Sequence, residues 1–312
     1  MMNISVFYAH ILQAAEQTGK ALPELLLGVR EAGIEAVEME LAYLESHEET
    51  HTLLREAGLQ VSCIYQFYEM DAADEKVQQK EREKARRHIA MAKRVGAKRI
   101  LVVPGFLADE EAQEMKKCAD YVQMSAFMES NAKIQRIKEG MQYIVALGEK
   151  EGVIVTVEDF DDYKSPVSGM QGILWFLKNV PGLHYTLDMG NFVYSDEDVL
   201  EAWELLKDYV SHVHCKDRGE ETDVVENCLV SDDTLMANEP AGVGVQAAGK
   251  KLNKGLLPVA AGEGYMPIAE LIGKLKNVGY DGYLAIEHFD AKEQEECMKR
   301  SAAFLRKEAG IC

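Results

Sequence analysis

Four ionisable residues follow directly on apolar or β-branched runs in the second half of this 312-residue chain: Glu158 after IVTV, Asp188 after HYTL, His214 after SHV and Glu287 after LAI. Each gap between them is the length of one or two strand–helix units, so four strands of one sheet can present all four side chains at the same end. Three carboxylates and an imidazole around one point repel each other, and burying unpaired charge is costly. A divalent cation resolves that conflict. Oxygen-rich ligation with a single nitrogen suits one Mn²⁺ ion, with Mg²⁺, Co²⁺ or Zn²⁺ as alternatives, and an octahedral ion keeps about two positions open for substrate oxygens.

The elements that must position these residues follow a repeated device. An amphipathic helix ends at a glycine, and a short apolar strand begins a few residues later, at Gly33, Gly58, Gly96, Gly152, Gly182 and Gly279. Glycine past a helix end takes the left-handed conformation without a Cβ penalty and lets the chain turn into a strand. Apolar runs predict strands at residues 4–8, 36–41, 60–65, 99–103, 153–157, 184–187, 210–213 and 283–286. Helix and strand alternate throughout, which predicts an α/β fold, a (β/α)8 TIM barrel in preference to a doubly wound open sheet, with residues 1–312 forming one domain.

Such a barrel needs about 250 residues, and the surplus falls in two places. Residues 109–151 read as one very long helix or a broken pair. Residues 218–258 read as a polar, glycine-dotted loop inserted after a strand, over the catalytic mouth, where it is expected to shift when a ligand binds. Its GVGVQAAG stretch is not a GxGxxG phosphate cradle.

Composition narrows the function. Fifty-three acidic against 34 basic residues give a net charge of −19, which argues against nucleic acid or an anionic membrane as partner. Six cysteines without a CxxC pair suit reduced thiols in a cytoplasmic protein better than disulfides. The N-terminal segment lacks the basic and apolar regions of a secretion signal, and no apolar run is long enough to span a membrane.

At AGIEAVEMEL, VTVEDF, YTLDMGN, HVHCKD, GEGYMPI and GYDGYLAIEHF the chain resembles the xylose isomerase-like TIM-barrel superfamily, in the sugar phosphate isomerase/epimerase branch that includes ketose 3-epimerases, hydroxypyruvate isomerase and inosose dehydratase. The resemblance implies that Glu158, Asp188, His214 and Glu287 bind the metal and that the two glutamates also act as acid and base. Ketose 3-epimerases carry a histidine three residues after the aspartate ligand and a glutamate six residues after the first ligand, where this chain has Asn191 and Lys164. Substrate hydrogen bonding must therefore differ. The related endonuclease IV needs several further histidines on the earlier strands and in the seventh βα loop, and these are missing here.

Asn191, Lys216, Arg218, His10, Tyr65 and Phe106 are the expected substrate contacts. Tyr65, Phe67, Phe106 and Trp175 are candidates for an apolar wall, Glu38 for a partner behind the ligands, and His212 for a barrel-lining histidine on the face of His214. The expected activity is metal-dependent isomerisation or epimerisation of a small keto-sugar or related polyhydroxy carbonyl compound through an enediolate. The alternatives are a lyase of the inosose dehydratase type and a non-catalytic sugar-binding protein. Paired barrels, with residues 109–151 in the contact, are a further expectation.

Overall fold

A computed structural model describes residues 2–219 and 256–311. Eight parallel strands close into a barrel: β1 (Asn3–Phe7), β2 (Ala36–Glu40), β3 (Gln60–Phe67), β4 (Arg99–Val103), β5 (Ile154–Glu158), β6 (His184–Asp188), β7 (Val210–Gly219) and, after a short β8 (Leu257–Val259), β9 (Tyr283–Glu287). Closure comes from β9, which pairs with β1 on one side and β7 on the other, and from the pairing of β6 with β7. Helices cover the outside. The strands are buried along nearly their whole length, as expected where side chains fill the barrel on one face and meet helices on the other.

The glycine junctions behave as the sequence predicts: all six have positive φ, between 71° and 83°. Polar side chains cap the start of four helices among the described residues, at Asp74, Asp120, Asn131 and Asp198. Asp74, for example, accepts from the backbone N–H groups of Lys76 and Val77 at the start of the Glu75–Val95 helix.

Three features differ from the sequence-based expectation. Residues 109–151 form neither one helix nor two but three, Asp109–Met115, Tyr121–Ser130 and Ala132–Glu151. Asp120 and Asn131 interrupt the run because their side chains accept from backbone N–H groups of the next turn, offering the chain a fresh start at each point. Second, β7 continues six residues beyond Val213. Third, its last residues pair antiparallel with β8, Asp217 opposite Val259 and Gly219 opposite Leu257. This hairpin base carries both ends of the insertion expected at 218–258, whose residues 220–255, including GVGVQAAG, lie outside the described residues. Among the described residues no helix is long and apolar enough to cross a membrane, and Cys63, Cys118, Cys215 and Cys297 are free thiols.

Candidate active site

Side chains alternate along a strand, so His212, His214 and Lys216 share the inward face of β7. All three are buried, as are Glu158, Asp188 and Glu287 at the C-terminal ends of β5, β6 and β9. These ends converge. His214 Nδ1 lies 3.1 Å from Glu158 Oε2, 3.1 Å from Glu287 Oε2 and 3.7 Å from Asp188 Oδ2, and ligand atoms of Glu158, Asp188 and His214 all fall within 4.8 Å of one another. His214 Nδ1, Asp188 Oδ2 and Glu287 Oε2 nevertheless have no aligned hydrogen bond. Buried polar atoms left in this way need a partner. Three acidic oxygens within 3.7 Å of one imidazole nitrogen are a donor set that fits a divalent cation.

The layer beneath fixes the histidine. Its Nε2 donates to Glu38 at 3.3 Å, and His212 Nε2 donates to the same carboxylate at 2.7 Å. With Nε2 committed to Glu38, Nδ1 is the nitrogen turned to the carboxylates, the arrangement by which an outer carboxylate orients a ligating histidine. Burial alone would raise the Glu38 carboxyl, but the two rings outweigh it and hold Glu38 well below its usual range. Burial likewise opposes a charged His214, yet Glu38 and the three facing carboxylates raise it well above the ordinary value.

The two glutamates are unequal. Burial, helped by the charges of Glu287 and Asp188, pushes Glu158 up to about 7 against the lowering effect of His214. Burial acts on Glu287 too, but the Lys216 ammonium and His214 overcome it and bring the carboxyl down to about 2. Lys216 Nζ contacts Glu287 Oε1, stands 3.4 Å from Asp188 Oδ2 and donates to Asn191 Oδ1 at 2.9 Å.

The other expected residues divide into groups. Asn191 is buried and joins the site through Lys216; its Nδ2 donates to the Asp159 carbonyl at 2.8 Å. Arg218 is buried, donates to the Gly190 and Leu256 carbonyls and to Asn191 Oδ1, and lies over the Tyr194 ring at 5.0 Å. Tyr65 and Phe106 are half-buried at the mouth. His10 sits beside the ligand set: its ring stacks on His288 at 4.6 Å, and its Nε2 accepts from the His288 backbone N–H. Trp175 has no part in a wall. It is fully buried in the Met170–Asn179 helix, edge-on to Phe176, because that helix packs its apolar face against its neighbours outside the barrel. Lys164 lies near the rim, paired with Asp109 at 3.0 Å.

Sequence reasoning missed several contributors. Phe160 lies 5.8 Å from both Phe67 and Phe106 and joins them into one aromatic wall. Phe7 sits edge-on to His214 at 5.0 Å. Asp159 accepts from the Asp188 backbone N–H and from Tyr185 Oη, and Asp217 accepts from the backbone of Gly262, Gly264 and Met266, pinning the GEGYM turn to the end of β7. An acid close behind a candidate ligand, next to it in VEDF and three residues on in HCKD, was the available signal.

The sequence profile of the xylose isomerase-like TIM barrel family matches residues 28–308. The chain belongs to that family. No curated protein matches it by sequence. Among solved structures of this barrel type, the D-allulose 3-epimerase from Methylomonas sp. in complex with D-allulose superposes with TM-score 0.68 at 14% identity, covering 98% of this chain and 97% of that one. The D-psicose 3-epimerase with D-tagatose from Clostridium cellulolyticum H10 gives 0.66 at 14%, covering 99% of each. The probable 3-DHS dehydratase AsbF involved in petrobactin synthesis from Bacillus anthracis gives 0.62 at 17%, covering 97% of this chain and 98% of that one. At such identities the likeness establishes the fold, and chemistry must be argued from the site.

Proposed function

We propose that this protein is a divalent-metal-dependent isomerase or epimerase of a small keto-sugar or related polyhydroxy carbonyl compound. Glu158, Asp188, His214 and Glu287 would hold the ion, and their donor set favours Mn²⁺ over Mg²⁺, Co²⁺ or Zn²⁺. When bound, such an ion polarises a carbonyl oxygen and the hydroxyl beside it, acidifying the carbon between.

The observation that carries this reading is the placement of Glu158 and Glu287, each 3.1 Å from His214 Nδ1, on strands separated by β6 and β7. A substrate seated between them meets one carboxylate on each face. One glutamate removes the carbon-bound proton, and the other returns a proton to the opposite face or to the neighbouring carbon. Phe67, Phe106 and Phe160 cover the apolar face of the sugar, while Asn191, Lys216 and Arg218 meet its hydroxyls. The barrel closes the site on the strand side, which limits water access to the reacting carbon.

In deuterated water with Mn²⁺ present, a panel of ketoses, aldoses and inososes tests the proposal. At least one compound should acquire label at the carbon beside its carbonyl, and that exchange should be lost in Glu158→Gln. A product lacking one hydroxyl would assign the site to a lyase. A full panel without exchange would overturn the reading.

A further inference from the structure

Lys216 carries a role that its position as a substrate contact does not explain. It is 6% exposed, and a buried lysine must place its charge against opposite charge. Its ammonium donates to Asn191 Oδ1 at 2.9 Å, contacts Glu287 Oε1 and stands in ion-pair range of Asp188 Oδ2 at 3.4 Å. Asp161 adds a further carboxylate oxygen at 3.8 Å. Two of the four candidate metal ligands are therefore also ligands of Lys216.

The position is built. Lys216 is two residues past His214 on the same inward face of β7, and Asn191, which holds the ammonium from the far side, is itself fixed by the Asp159 carbonyl. Glu287 is divided between the two cation positions: Oε1 goes to Lys216, and Oε2 faces His214 Nδ1. Among the described residues no lysine pairs with Glu158. Three ligand carboxylates around a divalent ion leave one negative charge uncompensated, and Lys216 places a positive charge directly against two of those carboxylates.

We propose that Lys216 is the resident counter-cation of this metal centre, sharing Glu287 and Asp188 with the ion and setting the affinity with which the ion is held. The inference rests on the reading of Glu158, Asp188, His214 and Glu287 as a metal site. Its consequence runs against the usual effect of deleting a residue from a binding site: removing Lys216 strengthens metal binding, because the ion no longer competes with an ammonium for two carboxylates.

Mn²⁺ titration of full-length protein, with free Mn²⁺ followed by electron paramagnetic resonance, tests this on the native chain, Lys216→Met and Lys216→Arg. Lys216→Met should lower the Mn²⁺ dissociation constant about tenfold or more, the scale expected when a unit charge is removed a few ångströms from a divalent ion. Lys216→Arg, which keeps the charge, should stay near native. Thermal unfolding gives a readout independent of turnover: the rise in Tm on adding Mn²⁺ should be larger in Lys216→Met than in the native protein. Equal or weaker Mn²⁺ binding by a folded Lys216→Met would overturn the proposal while leaving the metal site intact. If Lys216→Met does not fold, Lys216→Gln takes its place with the same expected direction. Absence of Mn²⁺ binding by the native chain would instead overturn the metal reading on which the inference stands.

Discussion

The two halves of the barrel are built for different tasks. From β1 to β4 the strand ends and following loops bring Phe7, Tyr65, Phe67 and Phe106 to the mouth, and Glu38, a buried acid inside that half of the barrel, is tied to His212 and His214. From β5 to β9 every strand that closes the barrel delivers a candidate ligand, and Lys216 and Arg218 are added at the end of β7. One half gives most of an aromatic wall, which Phe160 just past β5 completes; the other concentrates charge. The contrast teaches where each kind of change should be felt. Substitutions on the β5–β9 side should remove chemistry, those on the β1–β4 side should loosen binding or stability, and Glu38 should behave as a member of the charged half despite its strand.

The largest effects are expected at the two glutamates. Glu158→Gln and Glu287→Gln each keep one oxygen for the proposed ion but lose the proposed proton-transfer group, and turnover should fall by about 10² to 10⁴ with metal content retained better than activity. Steady-state kinetics beside elemental analysis of the same samples separates the two. Near-native turnover in either variant would assign the proton transfers to another pair.

Next comes Glu38. Glu38→Gln removes the negative charge and leaves one acceptor oxygen for two rings, so it should weaken Mn²⁺ binding about 10- to 100-fold, the range found for such outer partners. An unchanged affinity would place Glu38 with the inert half.

The aromatic side should respond more mildly. Phe106→Ala should raise KM several-fold while changing kcat less, since it removes contact made equally in ground and transition states. A fall confined to kcat would show that the wall takes part in the chemistry.

Why some of this was legible in the sequence and some was not follows from what each feature depends on. Strand ends carrying Glu158, Asp188, His214 and Glu287 stand out because apolar runs precede them and glycines punctuate the helices before them. The continuation of β7 through His214–Gly219 is hidden: its polar residues are buried by the site they serve, and hydropathy reads them as loop. β8 has three residues including Pro258, too few to show a period. The pairing of Glu38 with His212 joins residues 174 positions apart, which no local pattern encodes. The sequence around Trp175 carries no sign of which way its helix turns the ring, and Asp120 and Asn131, whose caps break residues 109–151 into three helices, lie in a run that reads as one helix or a broken pair.

The smallest expected effect is on stability. His88, in the β1–β4 half, is buried between Tyr68 and the Ile64 carbonyl, and burial lowers it to about 3 from its ordinary value near 6.5. The unfolded chain takes up this proton near pH 6.5, whereas the folded chain resists until about pH 3. The contribution is thus complete above pH 6.5 and is lost as pH falls from there toward 3. Urea midpoints measured from pH 8 to pH 5 should decline at the acid end, and His88→Gln should flatten part of that decline. A midpoint that rises on acidification would contradict the assignment of a neutral, buried His88.

The central claim is that four side chains from β5, β6, β7 and β9 bind one divalent ion between two proton-transferring glutamates. Crystals grown with Mn²⁺ and measured for anomalous scattering test it most directly. The account predicts a single ion per chain, about 2.0 to 2.4 Å from oxygens of Glu158, Asp188 and Glu287 and from His214 Nδ1. An ion held elsewhere, or a cluster of three, would contradict it.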